Sequence, residues 1–354
     1  MRAELLISAW LLLAAALIWG VPKLWTQSLP ELPSLEQTTD RNSALASSPS
    51  GSSSPDKSTK EKNGTSENSE IPTSPAALAL LEQSLSQLRN APPLVAQLDL
   101  QINLLEREFL GTGQYCQSGV GVPQTRWDFS LGETPSGLML SQIFDGRFFY
   151  RLTVQGNEKS LTYVDLYGAR DLPESTAKGI AGPTGWLGVG GLPTLLEQLL
   201  ATHDFEPPTD TETIAGENGQ SLVLTKVRGR WSKPALRQLL RDQITPDVLA
   251  EEIRWERLPG QMPHGVELVL GTDSYLKAFP YRLTFYQFRP SGEGSYSVQP
   301  VFELKLHHVE KRDEIAPEQF RLSADGLNPA DLTKDYLNRV KMFTLYPLKE
   351  SGNK

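Results

Sequence analysis

The chain has 354 residues, a net charge of −8 at pH 7 and a single cysteine, Cys116. That length allows two or three domains. The acidic balance excludes the basic footprint of a nucleic-acid-binding protein, and one cysteine excludes an internal disulfide or a cysteine-rich zinc or iron–sulfur site.

The first element is a membrane signal. No charge occurs from Leu5 to Pro22, in "LLISAWLLLAAALIWGVP". As a helix this run reaches about 27 Å, near the minimum for crossing a bilayer. Trp19 and Trp25 suit an interfacial belt, and Lys23 can snorkel. A cleaved signal peptide would need a small-x-small site after the apolar core, and "LIWGVPKLW" offers none. Residues 1–25 therefore read as a transmembrane signal anchor. Arg2 and the amino terminus precede it, partly offset by Glu4, and Lys23 follows. The charge bias points to a cytoplasmic N-terminus with the remainder outside.

Residues 26–74 are rich in Ser, Thr, Pro and charge, as in "ASSPSGSSSPDKSTKEKNGTSENSE". Such a segment buries too little apolar surface to offset its ordering entropy. It reads as a disordered linker with a reach of roughly 40 Å.

Order resumes at Ser74-Pro75, an N-cap followed by proline at the first helical position. "PAALALLEQSLSQLRNAPP" then places Ala77, Leu78, Leu81, Leu85 and Leu88 on one helical face. The next stretch, "LVAQLDLQINLL" (94–105), can be read two ways. Leu94, Ala96, Leu98, Leu100, Ile102 and Leu104 alternate with polar residues, the period of a strand with one apolar side. A helix would leave Leu100 and Leu104 on the polar side, so the strand is expected. A strand through Tyr115 follows, then "RWDFSL". "LMLSQIFDGRFFYRLTV" is a hairpin around Asp145-Gly146. "KSLTYVDLY", "QSLVLTKVRG", "GVELVLG", "YRLTFYQF" and "QPVFELKLHHVE" continue in the same style, about ten strands in all. Helices are expected in "LPTLLEQLLATHDF", "SKPALRQLLRDQI" and, with Leu332, Tyr336, Leu337 and Val340, "NPADLTKDYLNRV". One folded domain over 75–345 and a flexible tail over 346–354 account for the rest.

Motifs for catalysis are scarce. The glycine-rich run before "LPTLLEQLL" fails as a phosphate loop. A Gly-x-Gly-x-x-Gly frame from Gly188 meets Pro193 at the third glycine, no strand leads in, and no P-loop lysine follows. It reads as a mobile loop ending in a helix start. His203 falls at a helix end, where a cation would suit the dipole. His264 lies in a Pro-rich loop. His307 and His308 are neighbours in a strand, so alternation would turn them to opposite faces and deny them a shared metal. No Gly-x-Ser-x-Gly elbow occurs. Cys116 reads as a small residue in a strand. No enzyme activity, cofactor or metal is expected.

"GQYCQSGVGVPQTRWDFSL", "MLSQIFDGRFFYRL", "FPYRLTFYQF" and "FELKLHHVEKRDEIAPEQFRL" resemble, in order, the strands of the LolA-like half-barrel superfamily of lipoprotein carriers and related lipid-binding proteins. A late Ile-x-Pro-x-x-Phe pattern, here Ile315, Pro317 and Phe320, is part of the likeness. The resemblance covers roughly residues 92–325. It implies an α+β fold: a large curved antiparallel sheet, an incomplete β-barrel, with helices covering its concave face. It also implies non-covalent binding of a lipid or lipidated protein in an apolar cavity, and a periplasmic setting at the bacterial cytoplasmic membrane. Candidate lining residues on the apolar parity are Leu98, Leu100, Ile102, Trp127, Phe129, Phe285, Phe302 and Leu304. Unlike the soluble carrier, this chain carries the anchor described above. Unlike the lipidated receptor of that superfamily, it has no lipid-bearing cysteine. Two other readings stay open: an interaction module whose core is filled by its own side chains, for a partner not identified by the sequence, and an unrecognised hydrolase.

Overall fold

The computed structural model describes residues 73–104, 107–120, 124–132, 137–166, 190–215, 221–240, 263–271, 276–290, 296–322 and 326–334. The expected anchor, all but the last two residues of the linker, and the tail lie outside them. No helix among the described residues is long and apolar enough to cross a membrane.

The stretch that begins at Leu94 is a strand. β1 (Leu94–Leu104) buries Leu94, Ala96, Leu98, Leu100 and Ile102, every second residue. It has a hydrogen-bonded neighbour on each side and so sits inside the sheet. On one side a meander runs outward through β2 (Arg107–Gln117), β3 (Thr125–Leu131), β4 (Leu138–Phe144), β5 (Phe148–Gln155) and β6 (Glu158–Asp165). The second half of the chain supplies β7 (His203–Phe205), β8 (Thr209–Ala215), β9 (Ser221–Trp231), β10 (Gly265–Gly271), β11 (Phe279–Pro290) and β12 (Tyr296–Lys311). This half returns so that β12 lies antiparallel to β1, with Leu100 opposite Leu304 and Ile102 opposite Phe302. A two-residue strand, β13 (Ala330–Asp331), pairs parallel with β6.

The order β13-β6-β5-β4-β3-β2-β1-β12-β11-β10-β9-β7, with β8 also on β9, forms one sheet of thirteen strands among the described residues. Its two ends do not pair with each other. The sheet is open, curved and almost wholly antiparallel, as expected for an incomplete barrel and unlike a closed one.

Among the described residues, three helices pack on one side, here called the inner face: α1 (Pro75–Arg89), α2 (Gly191–Thr202) and α3 (Lys233–Leu240). Pro75 opens α1 as expected. Ser74, however, makes no side-chain cap; it is fixed instead by its backbone N–H, which donates to the Phe205 carbonyl on β7. Ala77, Leu81 and Leu88 of α1, Leu192, Leu195, Leu196 and Leu199 of α2, and Leu236 of α3 join the inner-face strand residues in a single apolar cluster.

The outer face is mostly polar, with ion pairs such as Arg228–Glu267 at 2.9 Å and Lys305–Glu303 at 2.8 Å. It carries an apolar island formed by Cys116, Ile143 and Phe320, flanked by Val95, Tyr150, Ile315 and Leu322. The chain leaving β12 crosses this face. Arg312 N–H donates to the Pro93 carbonyl, the 3-10 turn Pro317–Phe320 lies on β3, and Arg126 donates to the Gln319 carbonyl at 3.0 Å. Beyond it, β13 reaches the far edge at β6. The Ile-x-Pro-x-x-Phe pattern is thus a packing device. It sets two apolar anchors under a strap that joins the middle of the sheet to its edge.

Three expectations are corrected. The helix expected from Asn328 starts later, with Thr333 and Lys334 helical; Ala330 and Asp331 before it form β13, because the edge strand β6 offers unpaired backbone groups at Thr162 and Tyr163, and residues 335–340 lie outside the described residues. His307 and His308 do not point apart. His308 has φ +48° at a bulge where His308 and Val309 together oppose Ala96, and the two rings lie 5.0 Å apart. His203 closes α2 as its C-cap, the helix end expected for it, and opens β7, but it is not a cation. It is 3% exposed and stacks 4.4 Å from Trp231, and burial holds its imidazole near pKa 3.

Two outcomes are expected. His203 stays neutral in the fold while the unfolded chain takes up a proton below about pH 6.5, so it favours unfolding increasingly as pH falls from 6.5 towards 3. The urea midpoint of His203→Phe should therefore fall less steeply than wild type over that range, by up to about 1.4 kcal/mol per pH unit. Under the strap, burial raises the Cys116 thiol to about 11. Maleimide labelling of the native protein should be slow, and Phe320→Ala should speed it roughly tenfold or more by loosening that cover.

Candidate functional site: the inner face of the sheet

Cross-strand register builds the site row by row. One row runs Phe285–Phe302–Ile102–Phe109 and the next Leu283–Leu304–Leu100–Gly111–Leu131. A third runs Leu306–Leu98–Gly113–Phe129–Leu140. The fourth begins Ala96–Tyr115–Trp127. All eight candidate lining residues therefore share one face. Seven of them, Leu98, Leu100, Ile102, Trp127, Phe129, Phe285 and Leu304, are at most 7% exposed, and Phe302 is partly buried against the same cluster. Trp127 lies between Tyr115, at 4.2 Å, and Phe129, at 6.0 Å; Phe285 and Phe302 are 6.1 Å apart. Such aromatic contacts add to what burial alone contributes.

The absence of a side chain matters at Gly113. A Cβ there would come within 1.9 Å of the Asp128 carbonyl and 2.8 Å of Leu98. Bare backbone at this point lets Leu98 and Phe129 close over β2.

Helices α1 and α2 are tied to this face by a buried hydrogen-bond chain. Tyr115 donates to Gln117 Oε1 at 2.6 Å, and Gln117 Nε2 donates to the Leu88 carbonyl at the end of α1. On its other side the Tyr115 hydroxyl accepts from Leu192 N–H, in the first turn of α2, at 3.3 Å. This is why α2 starts on two glycines. Gly191 has φ +64°, and a Cβ on it would lie 2.5 Å from the Tyr115 hydroxyl. The end of the glycine-rich run is thus a docking point for α2 on β2. Burial pushes the Tyr115 phenol well above its ordinary value, so it stays a neutral donor.

Comparison with known proteins follows from this geometry. No family model and no curated protein matches the chain. Among solved structures, MucB is 13% identical over 72% of this chain and 65% of its own length, with a TM-score of 0.34. The MucA/MucB complex of Pseudomonas aeruginosa gives 14%, 70%, 62% and 0.31 in the same order. A LolA superfamily protein from Nitrosomonas europaea gives 12%, 72%, 100% and 0.27. The chain resembles solved LolA-superfamily proteins. It spans less than two thirds of the MucB chains it matches. At TM-scores this low the likeness carries nothing about ligand or partner, and the site stands on its own side chains.

Among the described residues, the groups whose pKa is displaced furthest lie on different strands or on opposite faces of one strand. Tyr115 faces inward and Cys116 outward on the same strand. His203 lies at β7, and Arg151, lowered to about 10 by burial, lies on β5. No group of three or more metal-ligating side chains occurs among the described residues.

Sequence parity located the apolar residues but not the Tyr115–Gln117 clamp, nor the polar members of the fourth row. That row continues Trp127–Gln142–Arg151–Thr162. A signal for it exists in "LMLSQIF". Gln142 shares the parity of Leu138, Leu140 and Phe144, and a glutamine in an apolar series is an anomaly.

Tyr115→Phe removes a buried hydroxyl, leaving Gln117 Oε1 without its donor and Leu192 N–H without its acceptor. Urea unfolding should show a loss of about 1–3 kcal/mol. Amide exchange at both ends, Leu88 and Leu192, should speed together.

Proposed function

We propose that this protein binds the acyl chains of a lipid or lipidated protein non-covalently against the inner face of its sheet. The observation that carries the reading is the continuity of that face. From Val227 on β9 through Val266, Leu283, Leu304, Leu100 and Phe129, no charged side chain interrupts the apolar cluster over β9, β10, β11, β12, β1, β2 and β3. Side-chain packing by α1, α2 and α3 covers it. Acyl chains enter as the helices part from the sheet, and each CH₂ taken from water contributes about 0.8 kcal/mol. The expected anchor keeps the domain on the periplasmic side of the cytoplasmic membrane. The tether lets it sample lipids near that membrane, so sensing or local transfer suits it better than free shuttling.

A second reading has its own support. The candidate residues already pack against helix leucines, as in a core that needs no ligand. Tyr296 and Val298, about half exposed, project from the β11–β12 hairpin, where β12 runs past its pairing with β1. They would serve an interaction module.

Native mass spectrometry of the full chain, released from zwitterionic nanodiscs after incubation with membrane lipid extract, separates the two. The binding reading predicts a discrete adduct that solvent extraction identifies as lipid. It also predicts that Leu304→Asp abolishes the adduct. A bare mass after incubation removes lipid binding as the main function and leaves the interaction module.

A further inference from the structure

The inner face changes character at one end. Along the fourth row its residues are Ala96, Tyr115 and Trp127, then Gln142, Arg151 and Thr162 on β4, β5 and β6. Adjacent strands are about 4.8 Å apart, so the four side chains from Trp127 to Thr162 form a line roughly 14 Å long. Three of them hold polar atoms that are shielded from solvent and make no hydrogen bond: Trp127 Nε1, both side-chain atoms of Gln142, and Thr162 Oγ1. Trp127 is 0% exposed and Gln142 1% exposed. Burying such groups without partners is costly. Between Gln142 and Thr162 stands Arg151, half-buried and on the same inner parity, a cation with no need of a change in protonation at pH 7.

On one side the row is bordered by the buried Phe144, Phe149 and Val164; on the other it is bordered by Leu140 on β4 and then by the partly exposed Thr153 and exposed Ser160 on β5 and β6. The row thus lies where the oily surface meets the solvated end of β5 and β6, the border at which the polar head of an amphiphile would sit. Indole N–H, amide N–H, guanidinium and hydroxyl all donate. Three neutral donors in line with one cation match an oxyanion, and the apolar rows beside them match a hydrocarbon chain.

We infer that the Trp127–Gln142–Arg151–Thr162 row receives the anionic head of a single amphiphile, a carboxylate or phosphate, whose chain lies along Phe129, Leu98 and Leu304. This rests on the acyl-binding reading above and narrows it. A free anionic lipid supplies such a head, whereas the amide-linked acyl chain of a lipidated protein does not.

The test uses a pair of probes that differ only in charge. The full chain in phosphatidylcholine nanodiscs is titrated with cis-parinaric acid and with its methyl ester, read by tryptophan-sensitised fluorescence against empty discs. The acid should bind about tenfold or more tightly than the ester, the size of effect expected from charge-assisted hydrogen bonds. Gln142→Leu and Arg151→Met should each lower the ratio of acid to ester affinity. Gln142→Leu removes two unsatisfied polar atoms, so its melting temperature should not fall, which guards against a folding artefact. Equal affinity for acid and ester, or a preference that survives both substitutions, overturns the head site and leaves acyl binding intact. Displacement of the acid by millimolar acetate or inorganic phosphate would make this a simple anion site and overturn the amphiphile assignment. Failure of both probes to bind removes the acyl-binding reading itself.

Discussion

Leu94, Ala96, Leu98, Leu100 and Ile102 project from one side of a strand that has a neighbour on each edge. Among the described residues, twelve further strands extend the sheet on both sides. An apolar face so wide cannot stand in water. Everything else in the fold answers this constraint. The helices are recruited to cover it, and the tyrosine–glutamine clamp fixes where two of them sit. The β1–β12 pairing joins the first half of the chain to the second, so that both halves share one interior.

The inner and outer faces are stabilised differently, and function follows the difference. The outer face is solvated, with ion pairs of the kind that contribute little. Its strap adds a small apolar contact that holds the far edge and hides Cys116. The inner face concentrates the apolar burial, and there a hydrocarbon guest and the helix leucines are alternatives of the same chemistry. A sheet of this kind can be filled by itself or by a ligand with little difference in free energy per methylene. Closed packing of α1 and α2 is therefore compatible with binding only if the clamp can yield. Few interactions hold it: the hydrogen bonds at Leu88 and Leu192, and a surface ion pair between Arg89 and Glu197.

Much of this was legible in the residues. Period-two alternation in β1, β3 and β12 announced both the strands and the face they bury. The Asp145-Gly146 turn announced its hairpin, and in the structure Asp145 accepts from Arg147 and Phe148 N–H while Gly146 takes φ +99°. Failures came where tertiary context overrides local pattern. Adjacent histidines lost their alternation to a bulge in β12, which no local signal marks. Ala330-Asp331 became a strand because β6 had an open edge, a fact of topology. His203 does close its helix, but burial beside Trp231, not the helix dipole, decides its state. The polar row escaped notice because Gln142 and Arg151 sit in different strands, and their adjacency is a matter of register. Parity tells which side a residue takes; only pairing tells what stands next to it.

The central claim is that a hydrocarbon chain lies on the inner face. The most direct measurement is photo-crosslinking of the full chain with a diazirine-bearing fatty acid, followed by mapping of the adducts. The account predicts adducts on β1, β11 and β12 at Leu98, Leu100, Phe285, Phe302 and Leu304, and on the facing leucines of α1 and α2. Adducts confined to exposed outer positions such as Met139, Tyr296 and Val298 would contradict it.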